Sequence, residues 1–379
     1  MTNAMKVLIT GADGFIGKNL QLHLAEREDV TVVCFTRNHS VAQLPDLLQD
    51  VDFVFHLAGV NRPQDPLEFA KGNAELTLTL CQLVVDVAQA TGIKVPIIFT
   101  SSTQAGDDNA YGKSKLAAEQ ALQGVAFRHG IPIHIFRLPN VFGKWCKPNY
   151  NSAVATFCHN IERDLPIQVN DPAAPVTLVY VDDVIARFVQ LMDGADADAE
   201  PDGFATVAPQ YTTTVGELAR QIQAFKDSRT TLITERVGAG LVRALYATYV
   251  SYLSVESFTY TVPQYADPRG VFAEMLKTPD CGQFSFFTAH PGITRGGHYH
   301  HSKTEKFLVI RGRAQFKFRN MQTGQTHDLV TTGEISEIVE TVPGWTHDVT
   351  NIGADEMIVM LWANEVFDRE RSDTVACAV

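Results

Sequence analysis

The 379-residue sequence has few cysteines, no long hydrophobic run and no block of basic residues. Its six cysteines are scattered without a C-x-x-C pair, which favours reduced thiols and a cytoplasmic location over a disulfide framework. No apolar run reaches the ~18 residues that a membrane-spanning helix needs. The first ten residues lack the basic head and apolar stretch of a signal peptide. We therefore expect no membrane insertion.

The charge balance narrows the class of partner. Lys and Arg number 31 and Asp and Glu number 43, which gives a formal charge of −12. Nucleic acids and anionic membranes attract positively charged surfaces, so the sequence predicts that neither is a partner. Hydrophobic residues at 45% and charged residues at 20% are typical of a globular protein. The length suggests two or three domains at ~150 residues each.

The first 240 residues alternate short β-branched runs with helical periodicity. Residues 7–10 predict a strand, and Ile16, Leu20 and Leu24 then recur every four residues, as on one face of a helix. The alternation continues through predicted strands at 31–35, 53–57, 97–100 and 133–138 and predicted helices at 67–91 and 111–129. Strands buried on both faces and separated by helices indicate an α/β fold with a Rossmann-type, doubly wound parallel sheet.

The residues after 265 follow a different pattern. Short strand-like runs are separated by turn residues, without a long helical stretch, at 284–287, 307–310, 314–319, 335–342 and 357–362. This spacing predicts an all-β sandwich or barrel. We therefore expect one domain at 1–245, a Tyr- and Ser-rich linker at 246–265 and a β domain at 266–379.

A glycine turn joins the first predicted strand to the first predicted helix. Gly11, Gly14 and Gly17 allow a tight turn and let the backbone approach a pyrophosphate, which the N–H groups of the helix N-terminus can bind. The turn also contains Phe15 and Ile16, and its G-x-x-G-x-x-G spacing resembles that of the extended short-chain dehydrogenase/reductase family, which acts on nucleotide sugars. The resemblance implies that these five residues contact a nicotinamide cofactor.

Further motifs extend this resemblance across residues 5–245. They are Leu57-Ala58-Gly59, Asn73, Ser101-Ser102-Thr103, Tyr111-Gly112-Lys113-Ser114-Lys115 and Pro139-Asn140-Val141-Phe142-Gly143. The resemblance implies cofactor contacts by Leu57, Ala58, Gly59 and Pro139. In one respect the chain departs from the family, because Tyr111 lies only nine positions after Ser102 and the loop on the substrate side is short.

The same resemblance implies that Tyr111, Lys115 and Ser102 are catalytic. Tyr111 and Lys115 are four residues apart and share a helix face, so we expect the ammonium to lower the phenol pKa from its usual ~10 and to hold the nicotinamide ribose. Ser102 would bind the substrate oxygen, with Ser101 and Thr103 as alternatives one residue away. Tyr111 would donate a proton as hydride reaches the carbonyl carbon.

The second predicted strand indicates the type of cofactor. NAD-binding folds place an Asp or Glu about 20 residues after the glycines, where it binds the ribose hydroxyls. Here the strand ends in Phe35-Thr36-Arg37-Asn38, without an acid. Arg37 suits a 2′-phosphate and favours NADPH, and the alternative is an ordinary exposed arginine.

The β domain contains a motif of spaced glycines, histidines and a glutamate. The pattern G-x5-H-x-H-x4-E-x6-G comprises Gly292, His298, His300, Glu305 and Gly312. It resembles the first motif of the cupins, which are small barrels of jelly-roll type. His298 and His300 are two apart on a strand, so both point to the same face, here the barrel interior. His347 would be a further ligand, in a segment (343–351) that resembles a shortened second cupin motif.

Three imidazoles and one carboxylate suit a borderline divalent metal ion. Zinc is favoured, and iron, manganese, nickel and copper stay open. Glu305 is either a ligand or a residue that orients the ligands from outside.

The order of the two domains, with residues 60–63, 139–145 and 295–306, resembles the bifunctional epimerase/reductases of bacterial capsule and O-antigen sugar synthesis. The resemblance implies a UDP-linked 4-keto-2-acetamido-2,6-dideoxyhexose as substrate. The cupin would epimerise C3, and the reductase would convert the C4 ketone with NADPH to the UDP-2-acetamido-2,6-dideoxy-L-talose precursor of UDP-N-acetyl-L-fucosamine. Both domain types commonly form dimers, so we expect a homodimer.

Chemistry orders these two steps. A C3 proton is acidic only while C4 is a ketone, because the carbanion delocalises as an enolate that a divalent metal ion stabilises. Reduction removes the ketone, so epimerisation must come first. The sequence leaves the base of this step open among Tyr299, His301, Lys303 and Asp348. Two other hypotheses also stay open: a cupin that only binds sugar or dimerises the chain, and an oxygen-dependent cupin with iron or copper.

Overall fold

The computed structural model describes residues 4–63, 65, 67–194, 203–301, 303–321, 323–370 and 372–379. The chain forms two compact units. The first contains Met1–Ile222 and Ala244–Tyr252, and the second contains Gln223–Arg243 and Leu253–Val379. None of the helices in the described ranges is long and apolar enough to cross a membrane.

The first unit is built on strands that alternate with helices. Its strands are β1 (Met5–Thr10), β2 (Val30–Phe35), β3 (Phe53–His56), β4 (Ile97–Ser102), β5 (Ile133–Leu138), β6 (Asn140–Phe142), β7 (Pro175–Tyr180), β8 (Phe204–Ala205) and β9 (Tyr211–Thr214). One sheet has the order β2-β1-β3-β4-β5-β8 with parallel pairing throughout. A smaller sheet has the order β6-β7-β9.

Helices connect these strands. They are α1 (Phe15–Ala25), α2 (Leu44–Leu47), α3 (Leu67–Phe69), α4 (Leu76–Thr91), α5 (Ala110–His129), α6 (Ala153–Glu162), α7 (Val181–Met192), α8 (Val215–Thr231) and α9 (Gly240–Val250). A π-helical turn, Ala70–Glu75, joins α3 to α4 and interrupts the helix predicted over 67–91. Such turns occur often at functional sites.

Burial explains why the large sheet is parallel. All four residues of β3 are buried, as are the last four of β1. Leu8, Val54 and Ile97 lie on adjacent strands and pack with Leu80 and Leu122 of the covering helices α4 and α5. Strands that are apolar on both faces need such helices on both sides. The predicted Rossmann-type fold is confirmed.

The second unit is dominated by antiparallel strands. They are β10 (Gln264–Asp267), β11 (Gly270–Thr278), β12 (Gly282–Ala289), β13 (Thr294–Tyr299), β14 (Glu305–Arg311), β15 (Arg313–Asn320), β16 (Thr326–Thr332), β17 (Ile338–Glu340), β18 (Trp345–Asn351), β19 (Met357–Ala363) and β20 (Val375–Ala376). They form two sheets, in the orders β10-β11-β12-β19-β14-β17 and β16-β15-β18-β13-β20.

The interior of this unit is mainly aromatic and aliphatic. Phe287, Phe307, Phe316 and Val359 form part of its buried cluster. Along β14 the buried positions alternate, so Glu305 occupies the same face as Phe307 and Val309. The predicted all-β fold of cupin type is confirmed, and a carboxylate occupies a position that the strand pattern would otherwise assign to a core residue.

The segment predicted as a linker, 246–265, contains regular structure. It begins within α9, includes a 3₁₀ turn at Val255–Phe258, and ends as β10 begins at Gln264. Residues 223–243, which precede this segment, group with the second unit.

Candidate active sites

The glycine turn after β1 has no space for side chains. Gly11 has φ of +70°, and a Cβ there would lie 2.6 Å from the backbone nitrogen of Ala58. A Cβ at Gly17 would lie 2.4 Å from the carbonyl oxygen of Gly11. Gly11 is therefore required by the close approach of the chain after β3, and Gly17 by the close packing of α1 on the turn itself.

The start of α1 offers free backbone donors. Its N-cap is Gly14, which provides no side-chain cap, and its first turn contains no acidic residue. Phe15 and Ile16 are the first residues of this helix. Uncapped N–H groups at the positive end of a helix suit an anion, so the residues present fit the pyrophosphate of a dinucleotide.

A chain of hydrogen bonds holds the carboxyl end of β3 beside the glycine turn that follows β1. The N–H of Ala58 donates to Thr10 Oγ1 (3.2 Å), and Thr10 lies 2.7 Å from His56 Nδ1. His56 Nε2 lies 2.8 Å from Thr77 Oγ1, which donates to the carbonyl of Asn73 (2.7 Å). Because Thr77 donates onward, Nε2–H must donate to Thr77, and Nδ1 accepts from Thr10.

Burial lowers the pKa of His56 to about 3, and the positive charge of Lys115 adds to this effect. The imidazole is therefore neutral, as the hydrogen-bond chain requires. The sequence pattern did not predict a role for this histidine. The only signal available was a polar residue at the end of an apolar strand.

Asn73 lies in the π-helical turn and clamps the loop after β3. Its Oδ1 accepts the N–H of Val60 (2.8 Å), and its Nδ2 donates to Ser114 Oγ (2.9 Å). A Cβ at Gly59 would lie 3.1 Å from Lys115 Nζ and 3.2 Å from Asn73 Oδ1. Gly59, Asn73 and Lys115 belong to three separate sequence motifs, and the structure brings them into contact.

Lys115 is buried although it carries a charge. Only 4% of the residue is exposed, and Nζ donates to the carbonyl of Thr100 (2.9 Å). Burial lowers its pKa to about 8, partly offset by the negative charge of Glu119. Helix α5 begins at Ala110 because Asn109 caps it by accepting the N–H of Gly112 (2.8 Å). This cap fixes the register of the helix face that carries Tyr111 and Lys115.

Tyr111 lies next to Ser102, and a hydrogen-bond interaction with this hydroxyl favours the phenolate. Burial raises the pKa of Tyr111, and the bond to Ser102 offsets only part of the rise. The predicted net lowering of this pKa by Lys115 is therefore wrong for the structure described, because removal of the phenol from water outweighs its neighbours. A phenol that stays protonated is suited to donate a proton.

The three candidate hydroxyls around Ser102 have different environments. Ser101 is buried, and its Oγ lies 2.5 Å from Glu119 Oε1, a carboxylate that also pairs with Arg137 at 2.6 Å. Thr103 is exposed at the start of a 3₁₀ turn. The geometry therefore favours Ser102 over both alternatives as the hydroxyl beside Tyr111.

The other predicted cofactor contacts lie at the same edge of the large sheet. Arg37 is exposed just after β2, Leu57 to Gly59 follow β3, and Pro139 follows β5. The carboxyl ends of neighbouring parallel strands meet at one edge, which is where α/β folds bind ligands.

A polar cavity of about 660 Å³ lies in the first unit. Its lining includes Arg62, Asn149, Gln168 and Asn170. Amide and guanidinium donors in a cavity of this size suit a polar ligand such as a nucleotide sugar.

In the second unit, four potential metal ligands converge. One ligand atom from each of His298, His300, Glu305 and His347 lies within 4.8 Å of the others. Glu305 Oε2 is 3.3 Å from His300 Nε2, 3.4 Å from His347 Nε2 and 4.0 Å from His298 Nε2. The sequence predicted this set of four residues.

Strand register creates this convergence. His298 of β13 lies directly opposite His347 of β18, and His300 follows two residues after His298. Glu305 begins β14 in the other sheet. Two sheets thus contribute ligands to one interior, as in a barrel.

Electrostatics keep Glu305 ionised. Burial alone would raise the pKa of Glu305, but the contacts with His298, His300 and His347 and the charge of Lys303 outweigh burial and lower it. Lys303 Nζ lies 2.9 Å from Glu305 Oε1. Glu305 Oε2 therefore faces the histidines while Oε1 faces the ammonium.

The end of the chain orients one of the histidines. His300 Nδ1 donates to the carbonyl of Asp373 (2.5 Å), because a carbonyl can only accept, and this leaves Nε2 free to act as a ligand. The Asp373 carboxylate also accepts the N–H groups of His301 and Lys303, each at 2.9 Å. Among the described residues, His347 makes no hydrogen bond through either ring nitrogen. The donor set fits a divalent ion such as zinc.

The structure separates the four candidate bases of this site. Tyr299 is the last residue of β13 and alternates away from His298, and His301 lies beyond the strand and is exposed. Lys303 pairs with Glu305. Asp348 alternates away from His347 along β18 but borders the same cavity, and its Oδ1 is buried without a hydrogen bond to any described residue. Burial raises the pKa of Asp348, and the charges of Lys317 and His347 offset part of the rise.

Comparison with known proteins identifies the family of each part. Residues 7–205 match the NAD dependent epimerase/dehydratase family, and residues 265–375 match the polysaccharide biosynthesis C-terminal domain. The chain is 62% identical over 375 residues, 99% of each chain, to a UDP-2-acetamido-2,6-beta-L-arabino-hexul-4-ose reductase of Pseudomonas aeruginosa.

Solved structures give the same result. The chain superposes with a TM-score of 0.88 on the capsular polysaccharide assembling protein CapF of Staphylococcus aureus, at 40% identity and over 99% of this chain and 100% of the other. A UDP-glucuronic acid 4-epimerase of Bacillus cereus matches 65% of this chain and 98% of its own at 19% identity and a TM-score of 0.55, which shows the fold of the first part alone. The chain therefore belongs to the NAD dependent epimerase/dehydratase family, and its second part matches the polysaccharide biosynthesis C-terminal domain.

Proposed function

We propose that this protein reduces a UDP-linked 4-keto-2-acetamido-2,6-dideoxyhexose and epimerises it at C3 before the reduction. The product is UDP-2-acetamido-2,6-dideoxy-L-talose, which leads to UDP-N-acetyl-L-fucosamine for capsule or O-antigen. The observation that carries the proposal is the pairing in one chain of a Tyr111–Ser102–Lys115 group with a four-ligand cluster around Glu305.

The reduction rests on Tyr111. Its pKa is raised by burial, so the phenol is protonated at neutral pH and can donate to the C4 oxygen. Ser102 donates a hydrogen bond to the same oxygen, and Lys115 holds the cofactor ribose. A nicotinamide cofactor supplies the hydride when bound, and Arg37, which follows β2 without a neighbouring acid at 36 or 38, favours NADPH.

The epimerisation belongs to the cupin. It removes the proton from C3 to give the enolate of the C4 ketone and returns a proton to the opposite face of C3. A divalent ion, which we propose to be zinc, supplies Lewis acidity when held by His298, His300, Glu305 and His347. Residues 1–245 thus carry out the reduction and residues 266–379 the epimerisation. We also propose that the active form is a cytoplasmic homodimer.

One experiment separates the two steps in the full-length chain. The 4-keto UDP-sugar is incubated in deuterated water, and deuterium at C3 and NADPH oxidation are measured for wild type, Tyr111→Phe and His347→Ala. We expect Tyr111→Phe to incorporate deuterium without oxidising NADPH, whereas His347→Ala loses C3 exchange and its metal. A wild-type enzyme that oxidises NADPH without any C3 exchange would contradict the epimerase half of the proposal.

The same measurement tests the cupin as a mere binding or dimerisation module. In that case His347→Ala would yield the same reduced sugar as wild type, with unchanged configuration at C3. Oxygen consumption, recorded in parallel, would reveal a dioxygenase.

A further inference from the structure

Strand β13 contains an irregularity just before the metal-ligand histidines. Arg295 lies opposite Val349 and His298 lies opposite His347, so three steps along β13 match two steps along β18. The extra residue is accommodated at Gly296 and Gly297, whose φ values are +96° and +77°. This is a β-bulge, and bulges re-aim side chains near active sites.

The bulge changes which residues share a face. On a regular strand, residues three apart point to opposite faces. Here both Arg295 and His298 line the interior, together with His347, Val349 and Glu305. The two glycines therefore bring an arginine to the side of the barrel that carries the ligand histidines.

Contacts from β12 hold this arginine in place. Its Nε donates to the carbonyl of Thr288 (2.9 Å), and its guanidinium lies 5.2 Å from the centre of the Phe287 ring. These contacts use one edge and one face of the guanidinium. Its Nη2 is buried and makes no hydrogen bond to any residue that the structure describes.

An unpaired N–H inside an apolar cavity is costly, so its retention needs a reason. The cavity has a volume of about 160 Å³, and its wall combines Arg295 and the ligands with phenylalanines 272, 287, 307 and 316. It is suited to a small part of a ligand, such as one edge of a sugar ring.

We propose that Arg295 is a catalytic residue of the barrel, whose guanidinium donates a hydrogen bond to the substrate oxygen that becomes negatively charged when C3 loses its proton. This inference rests on the proposed C3 epimerisation. A charge-assisted hydrogen bond in a site without water stabilises an oxyanion more than a neutral ketone, which is what lowers the barrier. The proton balance is unchanged, because Arg295 keeps its protons throughout.

The test compares C3 exchange with metal content. The variants are Arg295→Gln, Arg295→Lys and a control, Arg236→Gln, which removes an exposed arginine of the same unit that pairs with Asp280. Deuterium incorporation into the 4-keto UDP-sugar is followed without NADPH, and bound metal and the melting temperature are measured on the same samples.

We expect Arg295→Gln to lower the rate of exchange by about 100-fold or more while the metal stays bound, since loss of one oxyanion donor has effects of this size. Arg295→Lys keeps the charge but not the planar fork, so a loss of about tenfold is expected, in kcat more than in KM. The Arg236→Gln control should stay within about twofold of wild type, because substitutions at exposed positions have small effects.

Two outcomes would overturn the inference. One is exchange at the wild-type rate in a metal-loaded Arg295→Gln or Arg295→Lys enzyme. The other is loss of metal or fold in both variants, which would assign Arg295 to structure. Failure of the proposed function differs from both, because the wild-type enzyme itself would then show no exchange at C3.

Discussion

The two units bury charged groups in opposite ways. In the first, Lys115 donates to a neutral carbonyl, and burial lowers its pKa to about 8. In the second, Glu305 is almost as buried, yet three imidazoles and the ammonium of Lys303 lower its pKa below the ordinary value. Burial penalises the charged form in both cases, and the neighbours decide the result. Burial thus brings the pKa of Lys115 close to neutral pH, whereas the neighbours of Glu305 keep its carboxylate ionised.

The largest effect that sharpens this comparison is expected for Lys115→Met. Loss of the ribose and proton-transfer partner should lower NADPH oxidation by about 10²–10⁴-fold, whereas C3 exchange in the barrel should persist. The lysine is unfavourable for folding at pH 7, so the free energy of unfolding should rise by about 1–2 kcal/mol after the lost bond to Thr100 is deducted.

Thermal unfolding measures the change in the free energy of unfolding that Lys115→Met causes. The control is Lys113→Met, on the same helix but exposed and paired with Asp108 at the surface, which should change stability by about 0.5 kcal/mol or less. A Lys115→Met protein that melts well below wild type would contradict the claim that burial of this ammonium is costly.

A smaller effect is expected at the end of the chain. Asp373→Ala removes the carboxylate that fixes the N–H groups of His301 and Lys303, and the metal affinity of the barrel should fall by about 10–100-fold. Competition with a chelator measures this affinity. Asp368→Ala is the matched control, because its carboxylate accepts only the N–H of Glu370 among the described contacts. Equal affinities in both variants would show that the tail does not support the ligands.

The pH dependence should differ between the two reactions. Lys115 has a folded pKa of about 8 and an ordinary value of 10.5. The protonated form is lost as the pH rises through about 8, so kcat/KM for reduction should fall up to tenfold per pH unit above it. The same shift makes the folded state more stable with rising pH between about 8 and 10.5, because the unfolded chain binds the proton that the folded chain has lost.

A rate profile for reduction, set beside one for C3 exchange, tests this prediction. The pH profile for C3 exchange should be the same in wild type and in Lys115→Met, because Lys115 takes no part in that reaction. If that variant alters the profiles of both reactions equally, the two sites do not titrate independently.

The smallest effect concerns the cofactor. Arg37→Gln should raise the KM for NADPH about tenfold and leave that for NADH nearly unchanged, since one charge-assisted bond to a 2′-phosphate is worth about 1.5 kcal/mol. Steady-state kinetics with both cofactors measure the ratio of the KM for NADPH to the KM for NADH. Equal changes for the two would mean that Arg37 does not contact the 2′ position.

Much of each site could be predicted from spacing. Tyr111 and Lys115 are four apart on a helix, and His300 follows His298 by two residues just past the end of β13, so local periodicity predicts that each pair shares one face. The glycine turn was predictable for the same reason, because it lies between adjacent elements. The fold class followed from the change of periodicity along the chain.

Contacts between distant segments could not be predicted in this way. The chain from Ala58 through His56 to Asn73, the carbonyl of Asp373 on His300 and the bond between Ser101 and Glu119 join residues that no local pattern connects. The position of Arg295 also required the structure, because spacing alone places it on the wrong face of β13.

The sequence by itself determined which side chains have the chemistry for hydride transfer and metal binding, and the elements on which they lie. Only the tertiary structure decided their charge states and their final partners. The physical reason is that periodicity is a property of one segment, whereas desolvation and hydrogen bonding depend on everything that packs around a group.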